Sequence, residues 1–217
     1  MVSESFMLAT RIPMARRDFE TWLDIPVPGT EVLANPGEMF TGWFWDGTGS
    51  DDRWARVEED TTAREFFAEC VEQACAGEPT TVVLLYREGA LEAYLFEIGY
   101  DERSMHTALL LLAGAGRFGS EPGREHVLFW AETSGALLKP SDDGWLAVLS
   151  VGRDGARFTG RADLAETVAG LRPTEDRFYA LIERMAEDEE RWDSESGDSF
   201  HSDAPRDPLF IDPEVLR

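Results

Sequence analysis

Lysine is almost absent from this 217-residue chain, cysteine is down to two residues and histidine to three. Each scarcity closes off a class of chemistry. Two cysteines cannot build a disulfide framework. Cys70 and Cys75 also stand in a stretch that reads as helix, where five positions turn the chain through about 500° and point the thiols apart. Both fall on an apolar stripe with Phe66, Phe67, Val71 and Ala74, so buried free thiols are expected. The histidines, His106, His126 and His201, accompany no G-x-S-x-G elbow, and there is no H-E-x-x-H, C-x-x-C pair or Cys/His cluster. A nucleophile with its base and a zinc site therefore have no sequence support, and no catalytic residue, metal or cofactor is expected. Long apolar runs are missing too. Met1 to Phe19 is interrupted by Glu4, Pro13, Arg16 and Arg17, which leaves no signal peptide or membrane span and makes a cytoplasmic location the expectation.

One motif matches as text. Gly114-Ala115-Gly116-Arg117-Phe118-Gly119 fits G-x-G-x-x-G, with Glu132 about where a ribose-binding acid would stand. The chemistry needs these glycines to follow a strand and open a helix whose N-terminus holds the pyrophosphate. Pro122-Gly123 and the short distance to Val127 leave no room for that helix, so the glycines read as a helix C-terminus running into a loop.

Acid is what the chain has in excess. It carries 43 Asp and Glu against 20 Lys and Arg, a formal charge of -23, and all its basic residues but Lys139 are arginine. Such a field repels nucleic acid and anionic lipid and draws in basic partners at a rate that salt depresses. Hydrophobic residues make up 43% of the chain, enough for a large core at this length.

Periodicity predicts an α+β domain: an antiparallel meander sheet of about five strands with helices packed on it. Helices are expected over Met14 to Leu23, from Thr61 or Thr62 to about Ala76, over Ser104 to Ala113, weakly over Leu164 to Leu171, and over Thr174 to Trp192 with Phe178, Leu181, Ile182 and Met185 buried. Thr62 and Glu65 have the spacing of a capping box. Strands are expected at Met39 to Trp45, Thr80 to Tyr86, Leu91 to Ile98, His126 to Thr133, Trp145 to Val151 and Ala156 to Thr159. The domain is placed at residues 1–192. Residues 193–217 read as an acidic, Pro-containing tail whose last stretch, from Pro205, resembles an arm that docks on the body.

Two surfaces emerge as candidates for a basic protein partner. Trp43, Trp45 and Trp54 offer aromatic anchors beside Asp51, Asp52, Glu58, Glu59 and Asp60, whose spacing is not that of a calcium loop. Glu187, Asp188, Glu189 and Glu190 place negative charge at the end of a helix where the macrodipole disfavours it, so stability alone does not explain them. The expected function is a non-enzymatic binder of a basic protein, of the inhibitor or toxin-immunity type, with no direct nucleic-acid or membrane contact. The alternative is a small-molecule sensor or enzyme whose pocket lies between the sheet and the Ser104 to Ala113 helix, lined by Tyr94, Phe96, Trp130 and Trp145.

Overall fold

A computed structural model describes residues 5–40, 54, 60–98, 102–120, 125–132, 146–159, 164–195 and 200–217. They form an α+β fold, a six-stranded antiparallel sheet with four α-helices packed on it. In chain order these are β1 (Ser5–Pro13), α1 (Arg16–Leu23), α2 (Ala63–Cys75), β2 (Thr81–Arg87), β3 (Ala90–Phe96), α3 (Glu102–Ala115), β4 (Glu125–Glu132), β5 (Leu146–Gly152), β6 (Gly155–Thr159) and α4 (Leu164–Glu195). The strand order is β2-β3-β1-β4-β5-β6. The β2–β3 hairpin and the β4–β5–β6 meander match the expected pattern, but β1 lies between them. Its alternation explains the central place: Phe6, Leu8 and Ile12 enter the core on one face while Met7 and Ala9 enter it on the other.

Local chemistry fixes several boundaries. The Thr62 side chain accepts from the Glu65 amide at 3.2 Å and the Glu65 carboxylate accepts from the Thr62 amide at 2.8 Å, a complete capping box at the start of α2. The Thr62 amide and hydroxyl, both donating to that carboxylate, hold the Glu65 carboxyl below its usual range. Glu88 and Gly89, with φ of 50° and 75°, make the tight turn of the β2–β3 hairpin. Where a strand was expected from Met39, Pro36–Phe40 forms a 3-10 turn, and residues 41–45 lie outside the described residues.

The first face of the sheet carries α1, α2 and α3. Phe19, Trp22, Phe67, Val71, Met105 and Leu109 pack on Leu8, Ile12, Leu84, Leu91 and Leu95 in one apolar cluster. Each such burial is worth roughly 1.5–3 kcal/mol. The Trp22 indole donates to the Leu111 carbonyl at 3.0 Å, so its one polar atom is satisfied inside that core.

α4 covers the second face, where Leu171, Phe178 and Leu181 meet Met7, Ala9, Val83, Leu85 and Tyr94. Two helices were expected here, and one runs through. Pro173 sits inside α4 and withdraws one helical donor, but Ala169, whose carbonyl loses its partner, is exposed to water. Ile182, expected on the buried face, is instead 38% exposed.

Both sheet edges are closed. Along β2 the C-terminal arm runs parallel to the strand: the Leu84 amide donates to Phe210 at 2.9 Å and the Asp212 amide donates to Leu84 at 2.7 Å. Phe210 then enters the second-face core and Ile211 the first. Arg16 clamps the arm by a bidentate pair to the buried Asp212 at 2.6 and 2.9 Å, which pushes the guanidinium pKa further up. Along β6, the Ala34 amide donates to Ala156 at 2.8 Å, and the Asn35 side chain both donates to and accepts from the Phe158 backbone. Strand addition at these positions is blocked.

Candidate functional site

Of the first expected surface, Trp43, Trp45, Asp51, Asp52, Glu58 and Glu59 lie outside the described residues. Trp54 is half-buried. Its indole donates to the Pro36 carbonyl at 3.1 Å, and its ring lies 4.8 Å from His106 and 6.4 Å from Phe158, against the first-face core. That contact set is packing. Asp60 is exposed in the turn before α2.

The second surface is borne by α4. Glu187, Glu189 and Glu190 are exposed, whereas Asp188 is turned inward. Asp188 accepts from the Ser202 hydroxyl at 2.6 Å and pairs with Arg191 at 3.3 Å. Ser202 is buried, and its amide donates to the Cys75 carbonyl at 3.0 Å, so this carboxylate ties α4 to the arm and the arm to α2.

Helical spacing adds residues that the sequence reading did not single out. Tyr179 and Ile182, 42% and 38% exposed, are neighbours at i,i+3, and Ala186 continues the same apolar row, while Val168, three turns back, is separated from it by Arg172 and Glu175. Beside it runs a row of exposed acids, Asp176, Glu183, Glu187 and Glu190, with the i,i+3, i+4 and i+7 steps of a single helix face. Ile182 was legible as part of an apolar periodicity. The missing information was which side of a broad stripe the sheet covers, and that depends on how α4 rolls on Tyr94 and Phe96.

The alternative pocket is not assembled. Tyr94 and Phe96 belong to the second face, where they pack on Phe178 with ring centroids 4.3 and 5.7 Å away, while α3 lies on the first. Burial in that stack also pushes the Tyr94 phenol pKa up. Trp145 and the Trp130 side chain lie outside what is described. α3 itself is sealed, with Met105 and Ala108 through Ala113 buried.

Two clefts open elsewhere among the described residues. One, of about 620 Å³, separates the C-terminal half of α4 from the arm and is lined by Arg184, Asp188, Arg191, Trp192, His201 and Arg206. Two of its arginines already face carboxylates, Arg191 with Asp188 and Arg206 with Glu72. The other, of about 430 Å³, follows the β5–β6 hairpin.

Among the described residues no cluster of His, Cys, Asp and Glu is arranged to hold a metal. Cys70 and Cys75 are free and buried, and burial pushes the Cys70 thiol up to about 12, far from the range of a reactive thiolate. The G-x-G-x-x-G glycines end α3 and enter a 3-10 turn. A Cβ at Gly116 would stand 2.7 Å from the Gly152 amide nitrogen, so close packing on β5 accounts for that glycine. No helix among the described residues is long and apolar enough to cross a membrane. Compared with protein-family models, with curated proteins and with solved structures, the chain matches none of them.

Proposed function

We propose that this chain is a non-enzymatic, cytoplasmic binding protein that takes up a basic segment of a partner protein on α4, in the manner of an inhibitor or a toxin-neutralising immunity protein. One observation carries the reading: an exposed apolar row centred on Tyr179 and Ile182 runs beside the acidic row of Asp176, Glu183, Glu187 and Glu190. The complementary ligand is an amphipathic segment with aliphatic side chains along one edge and Lys or Arg along the next. The charge of -23 draws that segment in over long distances, and the apolar contacts slow its departure. Blocked sheet edges favour docking on a helix face over strand addition.

The test uses a fluorescent amphipathic helical peptide with Leu at i, i+3/i+4 spacing and Lys along the adjacent edge, with association and dissociation followed at low and moderate salt. Reversing Glu183, Glu187 and Glu190 to Lys is expected to slow association by at least about tenfold at low salt. Tyr179→Ser with Ile182→Ser leaves the charge unchanged and is expected to speed dissociation instead. Unaltered rates in both variants would remove α4 from the binding surface.

A further inference from the structure

A polar row crosses the second face of the sheet, beyond the apolar rows that α4 covers. The strand register aligns it: Arg11 of β1 pairs with Glu92 of β3, His126 of β4 with Ser150 of β5, and Ser150 with Arg157 of β6. The register that pairs Thr10 with Val127 sets Arg11 beside His126. All five residues alternate with side chains of the opposite face, so all five share one side of the sheet. α4 packs mainly on β1, β2 and β3, and His126, Ser150 and Arg157 stand on the half it leaves, the first two half-buried and the third exposed.

Side-chain lengths give the row a shape. His126 and Ser150 are short and sit in the middle, joined by a contact of 3.0 Å between Ser150 Oγ and His126 Nδ1. The long side chains of Arg11 and Arg157 flank them. At a strand spacing of about 4.8 Å, the two arginine Cα positions are about 14 Å apart, a span that two guanidinium groups can close from either side. Ser150 and Arg157 also line the cleft along the β5–β6 hairpin, where Arg153 is offset by Glu31 and Asp154.

The charges point the same way. In a chain so rich in carboxylates, Arg157 has no ion pair among the described residues. Arg11 is held at one nitrogen by Glu92, 3.5 Å from Oε1, which orients the guanidinium and leaves its other donors for a ligand. Glu92 itself is 1% exposed, so its carboxylate, whose second oxygen has no hydrogen-bond partner, is shielded from a ligand on that face.

We propose that Arg11, His126, Ser150 and Arg157 form a binding site for a compact tetrahedral oxyanion, the phosphoryl group of a small phosphate ester or free phosphate. The guanidinium groups clamp it from two sides, and the Ser150–His126 pair donates from below, through the Ser150 hydroxyl or through His126 Nε2 according to which side chain supplies the proton of their shared hydrogen bond. The site is independent of the α4 surface and is served by different residues.

Imidazole resonances give a direct readout, because the chain has only three histidines. Inorganic phosphate is titrated at constant ionic strength against a sodium chloride control. The expected result is a saturable movement of the His126 signals alone, with those of buried His106 and of His201 unmoved. Arg157→Gln lies at an exposed position on the last strand and leaves the core intact. It and Ser150→Ala are each expected to weaken the response about tenfold. Glycerol phosphate in a second arm separates the sources: tighter binding identifies an ester as the ligand, and equal binding identifies phosphate itself. No movement of His126, a movement that chloride reproduces, or one that persists unweakened in Arg157→Gln overturns the proposal.

Discussion

The two faces of the sheet are built differently. The first carries α1, α2 and α3 over a continuous apolar cluster that includes Trp22, Phe67 and the leucines of α3. Among the described residues the second carries one α-helix, α4, with Ala204 and Phe210 of the arm, over a smaller cluster around Phe178 and Tyr94, and next to it a row of charged and hydroxyl side chains. A face closed by three helices is committed to stability. A face closed by one helix keeps two resources for binding: the outer side of that helix, with Tyr179, Ile182 and their acidic neighbours, and the strip of sheet beyond it.

The contrast can be broken by substitution. Trp22→Ala removes the largest fully buried side chain of the first face together with its bond to the Leu111 carbonyl, and is expected to cost about 4 kcal/mol in urea unfolding. A loss below about 1 kcal/mol would mean that α1 contributes little to that face. Leu181→Ala, fully buried under α4, is expected to cost about 3 kcal/mol. If it instead released α4 while the first face stayed folded, the two halves would unfold separately and two transitions would replace one.

Glu92→Met acts in the opposite direction. Burial raises the Glu92 carboxyl pKa, with Arg87 and Arg11 only partly countering it. The native state therefore takes up this proton at a higher pH than the unfolded chain does. Above that window the buried carboxylate weighs against folding, and as pH falls through it the penalty is relieved. The variant is expected to be more stable than the parent by about 1 kcal/mol at pH 7, with the gap closing as pH falls towards the ordinary carboxylate range. Thermal midpoints across that range check it, and a gap that widened with acid would reverse the assignment.

Much of the secondary structure was legible because its signals are local. Thr62 and Glu65 announce the start of α2 through bonds between residues three apart, and Glu88-Gly89 sets a turn that only a few residues can make. Exposure along the candidate acidic run was legible only in part. Glu187, Glu189 and Glu190 are exposed as a charged run suggests, but Asp188 within the same run bonds to Ser202 across the arm, and Trp54 is held by Pro36 and His106. No sequence window contains those partners, since they come from other parts of the chain.

By itself, the sequence determined the α+β class, the buried thiols, the hairpin and the surplus of negative charge, all of which follow from composition or from contacts within a few residues. Tertiary structure decided that β1 lies between β3 and β4, that α4 continues through Pro173, that Ile182 faces water, and that Glu92, Arg11, His126, Ser150 and Arg157 stand in one row. The reason is physical: which strand pairs with which, and which side of a helix meets the sheet, depend on energies summed between distant segments. Each of the five polar residues alone reads as the ordinary polar side of a strand, and only the register makes them neighbours.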